Sequence, residues 1–249
     1  MAEPVRLQKY FTDCGILSRR AAEEEIRQGL VKVNGVTAAV GDKIDPETDV
    51  VEYRGKRIQP RADHANTYLL LNKPRGIVTS AKDEKGRRTV TDLVASVRRR
   101  VYPVGRLDMD SDGLLLLTDD GALAHRLTHP RHEIPKIYRV TTATPVTEEQ
   151  RAALGAPMEL DGYRLQPIGI RSCGDTLLEL TLYEGRNRQI RRMCEQVGIR
   201  VTRLSRIAIG SISMGDLPIG RWRHLTPQEV AYLQEASLPQ ANQQTNEKE

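Results

Sequence analysis

The sequence predicts an α+β fold with a mixed, mostly antiparallel sheet, preceded by a small unit of two helices and a hairpin. Three observations predict it. Leu178, Leu180 and Leu182 alternate with Glu179 and Thr181, as do valines around Asn34-Gly35, which is strand periodicity. Ile190, Met193, Cys194 and Val197 recur at i, i+3, i+4 and i+7, which is helical periodicity. The two kinds of segment interleave without a regular strand–helix–strand rhythm, which argues against a doubly wound sheet.

Leu7, Tyr10 and Phe11 define one face of a first helix that Gly15 can end. Ser18 is a suitable N-cap for a second helix and Gly29 a suitable stop. Val31 and Val33 lead into Asn34-Gly35, a two-residue hairpin signal, and Val36, Ala38 and Val40 carry the strand onward. Residues 58–66 are polar and contain proline, the composition of a linker. Tyr68–Leu71 is a strand running into a turn-rich Asn72-Lys73-Pro74-Arg75-Gly76 loop, and Thr89–Val97 has a helical pattern. Tyr102–Leu107 is extended, Asp108–Gly113 an acidic loop, and Leu114–Thr118 a short buried strand. Asp119-Asp120 can cap a helix ending near Pro130. The helix that contains Ile190 stops at Gly198. Thr226-Pro227-Gln228-Glu229 is a capping box with proline at the first helical position, with Leu225 and Val230 as its staple. The polar 235–249 segment is expected to be disordered.

Composition bounds the function. The 249 residues are 39% hydrophobic and 29% charged, enough for a packed core. The net charge of +5 is modest, but its placement is not even. Between Arg186 and Arg206 lie seven arginines and a single acid, Glu195, a pattern suited to polyphosphate or to a solvated basic face. Cys14, Cys173 and Cys194 are odd in number and far apart, so neither a disulfide framework nor a thiolate metal site is expected. MAEPVRLQKY lacks the apolar run of a signal peptide, and the longest leucine run, Leu114–Leu117, is far too short for a membrane span. A cytoplasmic protein without membrane contact is the expectation.

The stretch Gly105-Arg106-Leu107-Asp108-Met109-Asp110-Ser111-Asp112-Gly113 is the most informative. D-x-D-x-D-G opens like a calcium loop, but Asp119 falls where a bidentate Glu belongs, and Leu114–Leu117 fill positions that must supply ligands. A D-x-D phosphotransferase loop needs an apolar strand directly before its first Asp, where Gly105-Arg106 stands. A third reading is a lone catalytic carboxylate held ionised by arginine, acting on a ribosyl bond by glycosidase-like logic. Composition alone leaves these open. His129 and His132 lack a third ligand, so they are taken as surface residues and no metal site is expected.

Several motifs in order resemble the pseudouridine synthases of the RsuA/RluB/RluE/RluF group. VGRLDMDSDGLLLLTDDG is similar to the family's G-R-L-D signature, KIY at 136–138 to its K-x-Y, EGRNRQIRRM to its G-R-x-R-Q-I-R, and LLNKPRGIVTS to an N-K-P-x-G segment. The resemblance covers about residues 4–234. It implies that Asp108 is the catalytic carboxylate, that Tyr138 stacks on the target base, and that Arg191 pairs with Asp108 while Ile190 lies under the base. Arg106, Arg186, Arg188, Lys136 and Lys73 are the further expected substrate contacts. Ser111, Asp112 and Asp119 depart from the family pattern, and the two acids add negative charge near Asp108.

RLQKYFTDCGILSRRAAEEEIRQGLVKVNG resembles an S-four type (alpha-L) RNA-binding domain, which implies RNA contacts at Arg6, Lys9, Ser18, Arg19, Arg20, Arg27 and Lys32. The expected organisation is therefore an RNA-binding domain at 4–60, a linker at 61–66, a catalytic domain at 67–234 and a tail at 235–249. The implied reaction isomerises a uridine of structured ribosomal RNA, of the large subunit by its RluB-like pattern. It involves no redox or hydrolytic step, so neither cofactor nor metal is expected, and the enzyme is expected to be a monomer. The alternatives are a non-catalytic RNA-binding or ribosome-assembly protein, and a metal-dependent phosphotransferase.

Overall fold

The computed structural model describes residues 3–60, 65–129 and 134–238. The chain divides into two compact units, Met1–Asn66 and Thr67–Glu249. Residues 61–64 of the expected linker, Pro130 and His132, and residues 239–249 of the expected tail lie outside the described residues.

In the first unit β1 (Val5–Arg6) leads into α1 (Leu7–Asp13) and α2 (Arg19–Arg27). The Ser18 hydroxyl accepts from the Ala21 amide at 3.2 Å, satisfying a donor that the helix cannot satisfy itself. Strand β2 (Val31–Val33) turns through Asn34-Gly35 into β3 (Val36–Thr37); φ is 51° and 83° at the two turn residues, as a primed two-residue hairpin requires. The expected strand through Val40 stops at Thr37, leaving Val36 and Val40 exposed and Ala38 buried. Strand β4 (Lys43–Ile44) pairs with β1, and β2 also pairs with β5 (Val51–Tyr53), which pairs with β6 (Lys56–Ile58). Leu7, Phe11, Ala22, Ile26, Val31 and Val51 form the core between the helices and strands.

The second unit is built on a sheet. Its elements are β7 (Tyr68–Lys73), α3 (Val90–Leu93), β8 (Tyr102–Val104), β9 (Asp112–Thr118), α4 (Gly121–Thr128), β10 (Lys136–Thr142), α5 (Glu148–Gly155), the hairpin β11 (Glu159–Leu160) and β12 (Tyr163–Arg164), β13 (Gly169–Gly174), β14 (Leu177–Leu182), α6 (Gln189–Gln196), β15 (Val201–Ile209), β16 (Ile212–Ser213), β17 (Trp222–His224) and α7 (Pro227–Ala236). The strand order is β13-β14-β10-β15-β9-β7-β17, with β8 beside β9 and β16 beside β15. Among the described residues of this sheet the pairing is antiparallel except between β9 and β15. The fold is α+β with a mixed, mostly antiparallel sheet.

Both faces of the central strands are covered. Leu70, Leu114 and Leu116 pack with Leu123, Leu127 and Leu233, while Leu69, Leu71, Leu115 and Leu117 pack with Val90 and Val94. A strand buried on two sides has no polar face to show, which explains an unbroken leucine run. That strand begins at Asp112, two residues before the expected Leu114, with Asp112 itself buried. The helix expected over Thr89–Val97 is instead a short α-helix followed by a 3₁₀ turn at Ala95–Val97, ended by Arg98 at φ 53°. Its β-branched residues are poor helix formers. A capping box between Thr89 and Asp92, which sequence reasoning did not identify, opens the helix. Glu179 does not face solvent as its alternation implies; it is 8% exposed and ion-paired to Arg139 and Arg171 of the flanking strands. Helix α7 runs to Ala236 and Ser237 is fully buried, accepting from Arg126, so order continues past 234.

Candidate active site

The acidic loop is held by its backbone. The Thr79 hydroxyl donates to the Leu107 carbonyl at 2.7 Å, and the Gly76 amide to the Met109 carbonyl at 2.7 Å. The Lys73 ammonium, fully buried, donates to the carbonyls of Pro74, Asp108 and Ser111 at 3.1, 3.0 and 2.8 Å. Burial pushes the Lys73 pKa down to about 8, opposed by Asp112, Asp108 and Asp110. An ammonium has three donors, and all three are used. Lys73 therefore braces the loop that carries Asp108 and has none left for substrate, which corrects its expected place among the substrate contacts.

Past the loop, β9 runs parallel to β15 with Gly113 opposite Arg206. Gly113 has φ 106°, and a Cβ there would lie 2.2 Å from the Arg206 carbonyl oxygen, so only glycine permits this approach. The Asp112 carboxylate points into the sheet, accepting from Arg203 Nε at 3.0 Å and from the Ser205 hydroxyl. Asp110 points the other way, toward α6. It accepts from both terminal nitrogens of Arg188 at 3.0 and 2.9 Å, a fork that holds its carboxyl below the usual carboxylate range. Asp110 and Asp112, the two acids that follow Asp108 in the loop, are thus each matched by arginine.

Asp108, with 30% of its side chain exposed, has Arg188 Nη1 at 3.8 Å as its nearest cation. The expected Asp108–Arg191 pair is absent. Arg191 Nε lies 3.2 Å from the Asp110 carboxylate without hydrogen-bond alignment, and its Nη2 donates to the Asp110 carbonyl at 2.9 Å. The reason is helix geometry. Arg188 stands at the N-cap of α6 with φ 49°, one turn before Arg191, and its guanidinium is the one that approaches Asp108.

These groups border a cavity of about 360 Å³. Its walls include Asp108, Arg106, Arg186, Arg188 and Ile190 from the expected set, with Tyr138 from β10. Leu182 and Leu204, which sequence reasoning did not single out as site residues, add to Ile190 and Tyr138 in the apolar part of the cavity lining. Their signal was strand alternation, which identifies buried residues without telling a core from a pocket floor. Arg186 lies over the ring of Tyr163 and within 3.5 Å of Glu184. Lys136 is not part of the cavity wall. Its ammonium donates to the Ile134 carbonyl at 3.0 Å, and burial together with Arg206 lowers its pKa to about 8. Lys136 and Lys73 are thus both corrected from substrate contacts to interior ones.

In the first unit the expected RNA contacts differ in availability. Lys9 and Arg27 are paired with Asp13 and Glu24 of their own helices, Arg6 donates to the Gly41 carbonyl, and Ser18 is a helix cap. Arg19, Arg20 and Lys32 are exposed, with no ion pair among the described residues. No helix among the described residues is long and apolar enough to cross a membrane. His129 lies near His125 on α4, away from the cavity.

A small carboxylate-bearing cavity with an aromatic and aliphatic wall and an arginine rim suits a flat polar ring attached to a phosphodiester backbone. Comparison with known proteins agrees. The profile of the RNA pseudouridylate synthase family matches residues 67–196, and that of the S4 domain matches residues 5–51. An uncharacterised RNA pseudouridine synthase of Aquifex aeolicus is 40% identical, with 92% of this chain and 93% of that protein covered. The ribosomal large subunit pseudouridine synthase B of Bacillus subtilis is 39% identical, with 92% and 95% covered. The dual-specificity RNA pseudouridine synthase RluF of Escherichia coli O6:H1 is 39% identical, with 92% and 78% covered. A crystal structure of a pseudouridylate synthase superposes with a TM-score of 0.66 at 34% identity, covering 92% of this chain and 99% of that one. These matches set aside the readings as a non-catalytic binder or a phosphotransferase. The chain belongs to the RNA pseudouridylate synthase family and is an RNA pseudouridine synthase with an S4 domain at its N-terminal end.

Proposed function

We propose that this enzyme converts a uridine of ribosomal RNA, in the large subunit, to pseudouridine, with Asp108 as the catalytic carboxylate. The observation that carries the role of Asp108 is its position in one cavity with Tyr138, Leu182, Ile190 and Leu204, with a guanidinium 3.8 Å away. The choice of large-subunit ribosomal RNA rests on the name of the Bacillus relative.

A base stacked in a duplex cannot reach a cavity, so the target nucleotide is flipped out at a cost of a few kcal/mol. The uracil ring lies on Tyr138, and such stacking contributes about 1–3 kcal/mol. Arg106, exposed at the rim, fills the vacated stack or holds a phosphate. Asp108 then acts on the ribose, either bonding to C1′ or taking the C2′ proton. Either route breaks the N1–C1′ bond and leaves its electron pair on uracil N1. The freed ring turns and C5 bonds to C1′, as the Asp108 carboxylate leaves C1′ on the first route or returns the proton to C2′ on the second; the C5 proton then departs and N1 gains a proton. Atoms and electrons balance without a co-reactant.

Arg188, bonded to Asp110 and near Asp108, keeps a positive charge beside the working carboxylate. The test is chemical mapping of pseudouridine in the large-subunit RNA of cells with the enzyme, without it, and with Asp108→Asn. The reading expects one uridine position to lose its modification in the latter two. Modification intact with Asp108→Asn would remove Asp108 from the chemistry, and loss from the small subunit alone would move the target.

A further inference from the structure

Arg206 is the anomaly of the catalytic unit. It lies in the middle of β15 and is 4% exposed, yet no carboxylate pairs with it among the described residues. The nearest candidate, Asp112, is taken by Arg203 and Ser205. A buried guanidinium without a counterion is costly and calls for a reason. Its Nε donates to the Leu114 carbonyl at 2.8 Å, its Nη1 approaches the Tyr138 hydroxyl at 3.5 Å, and its buried Nη2 has no partner.

Backbone placement makes the contact with Tyr138 specific. Arg206 is the cross-strand partner of Tyr138, and partners in register share a sheet face. The pairing shifts register between Ile137 and Tyr138, a bulge that re-aims the side chain after it. The Tyr138 ring is left with its centroid 6.0 Å from the guanidinium carbon, packed between two apolar clusters and forming part of the cavity wall. Arg206 itself is not on that wall. On its other edge it is tied to β9, the strand that follows the Asp108 loop.

We propose that Arg206 is a positioning residue: its guanidinium holds the Tyr138 hydroxyl from within the sheet, fixing the ring that receives the uracil relative to Asp108. The free Nη2 allows a second hydrogen bond to the same oxygen when the ring settles against substrate. This deepens the reading of Tyr138 as the base platform and rests on it.

The test is a double-mutant cycle on the full chain with an RNA substrate, reading kcat and KM separately. Arg206→Met lowers kcat by about 10- to 100-fold, the size of one charge-assisted hydrogen bond, with KM changed less than about threefold. Tyr138→Phe, which keeps the ring and loses the hydroxyl, lowers kcat by a similar factor. In the Tyr138→Phe background, Arg206→Met lowers kcat by no more than about twofold. Arg206→Gln, which keeps one donor, recovers part of the loss and serves if the Met variant does not fold. An equal loss from Arg206→Met in both backgrounds would make the residue merely structural and overturn the proposal, as would an effect on KM alone. Full activity of Tyr138→Phe also overturns it while leaving the role of Asp108 intact. Full activity of Asp108→Asn instead defeats the reading of function and leaves the cycle interpretable.

Discussion

Arg19 and Arg20 of the first unit and the arginines around the catalytic cavity are used in opposite ways. Arg19 and Arg20 stand exposed at the start of α2, with no ion pair among the described residues, and Lys32 is exposed on β2. In the catalytic unit Arg188, Arg191, Arg203 and Arg206 are each tied to a carboxylate, a carbonyl or a hydroxyl of the unit itself. Charge that is free in water attracts phosphate over several ångströms and is screened by salt, whereas charge locked in a sheet acts over one contact and is screened little. The first arrangement suits holding an RNA, the second suits fixing the geometry in which a base reacts. Variants in the two units should therefore fail in different ways.

The largest effect belongs to Asp108→Asn, expected to lower single-turnover pseudouridine formation by about 10³-fold or more while RNA affinity stays within about threefold. A comparable fall in affinity would mean that the carboxylate organises the cavity instead of reacting. Arg188→Met frees Asp110 and removes the cation beside Asp108, so kcat should drop by about 10- to 100-fold. Arg188→Lys, which cannot fork onto Asp110, should recover only part of it. Lys73→Met should act on stability first, because three carbonyls lose their donor; about 2–4 kcal/mol in denaturant unfolding is expected. Substituting both Arg19 and Arg20 by Ala should weaken RNA binding by about 3- to 10-fold and flatten the salt slope by about one to two, with single-turnover kcat unchanged. An unaltered slope would place the phosphate contacts elsewhere.

The smallest effect is in pH. The native pKa values of Lys73 and Lys136, about 8, lie below the unfolded value of about 10.4. Between those values the unfolded chain binds more protons than the native one, so these groups make stability rise with pH across that window. Lys136→Met should reduce the rise, and a curve that falls from pH 8 to 10 in the parent chain would contradict the interior placement of both lysines.

The residues proposed to form the site were legible because their motifs resemble those of the family. A carboxylate in G-R-L-D, a tyrosine in K-x-Y and an apolar residue in R-Q-I-R keep their spacing, and the fold brings Asp108, Tyr138 and Ile190 to one cavity. The helix starts at Ser18 and Thr226 were legible because a cap is a local hydrogen bond between residues two to four apart. The α+β class was legible in the two periodicities for the same reason, since each depends on neighbours along the chain.

Which arginine meets which acid was not legible. Asp108, Asp110 and Asp112 lie two apart, and an extended or looped chain points them in different directions. Only the packing of α6 and β15 against the loop assigned Arg188 to Asp110 and Arg203 to Asp112, and took Arg191 from Asp108. Lys73 and Lys136 likewise read as cations facing substrate until tertiary burial turned their ammonium groups onto backbone carbonyls. Local bonding is written in adjacent residues, whereas the partner of a charge is set by distances between segments some 80 to 90 positions apart, which only the folded sheet determines.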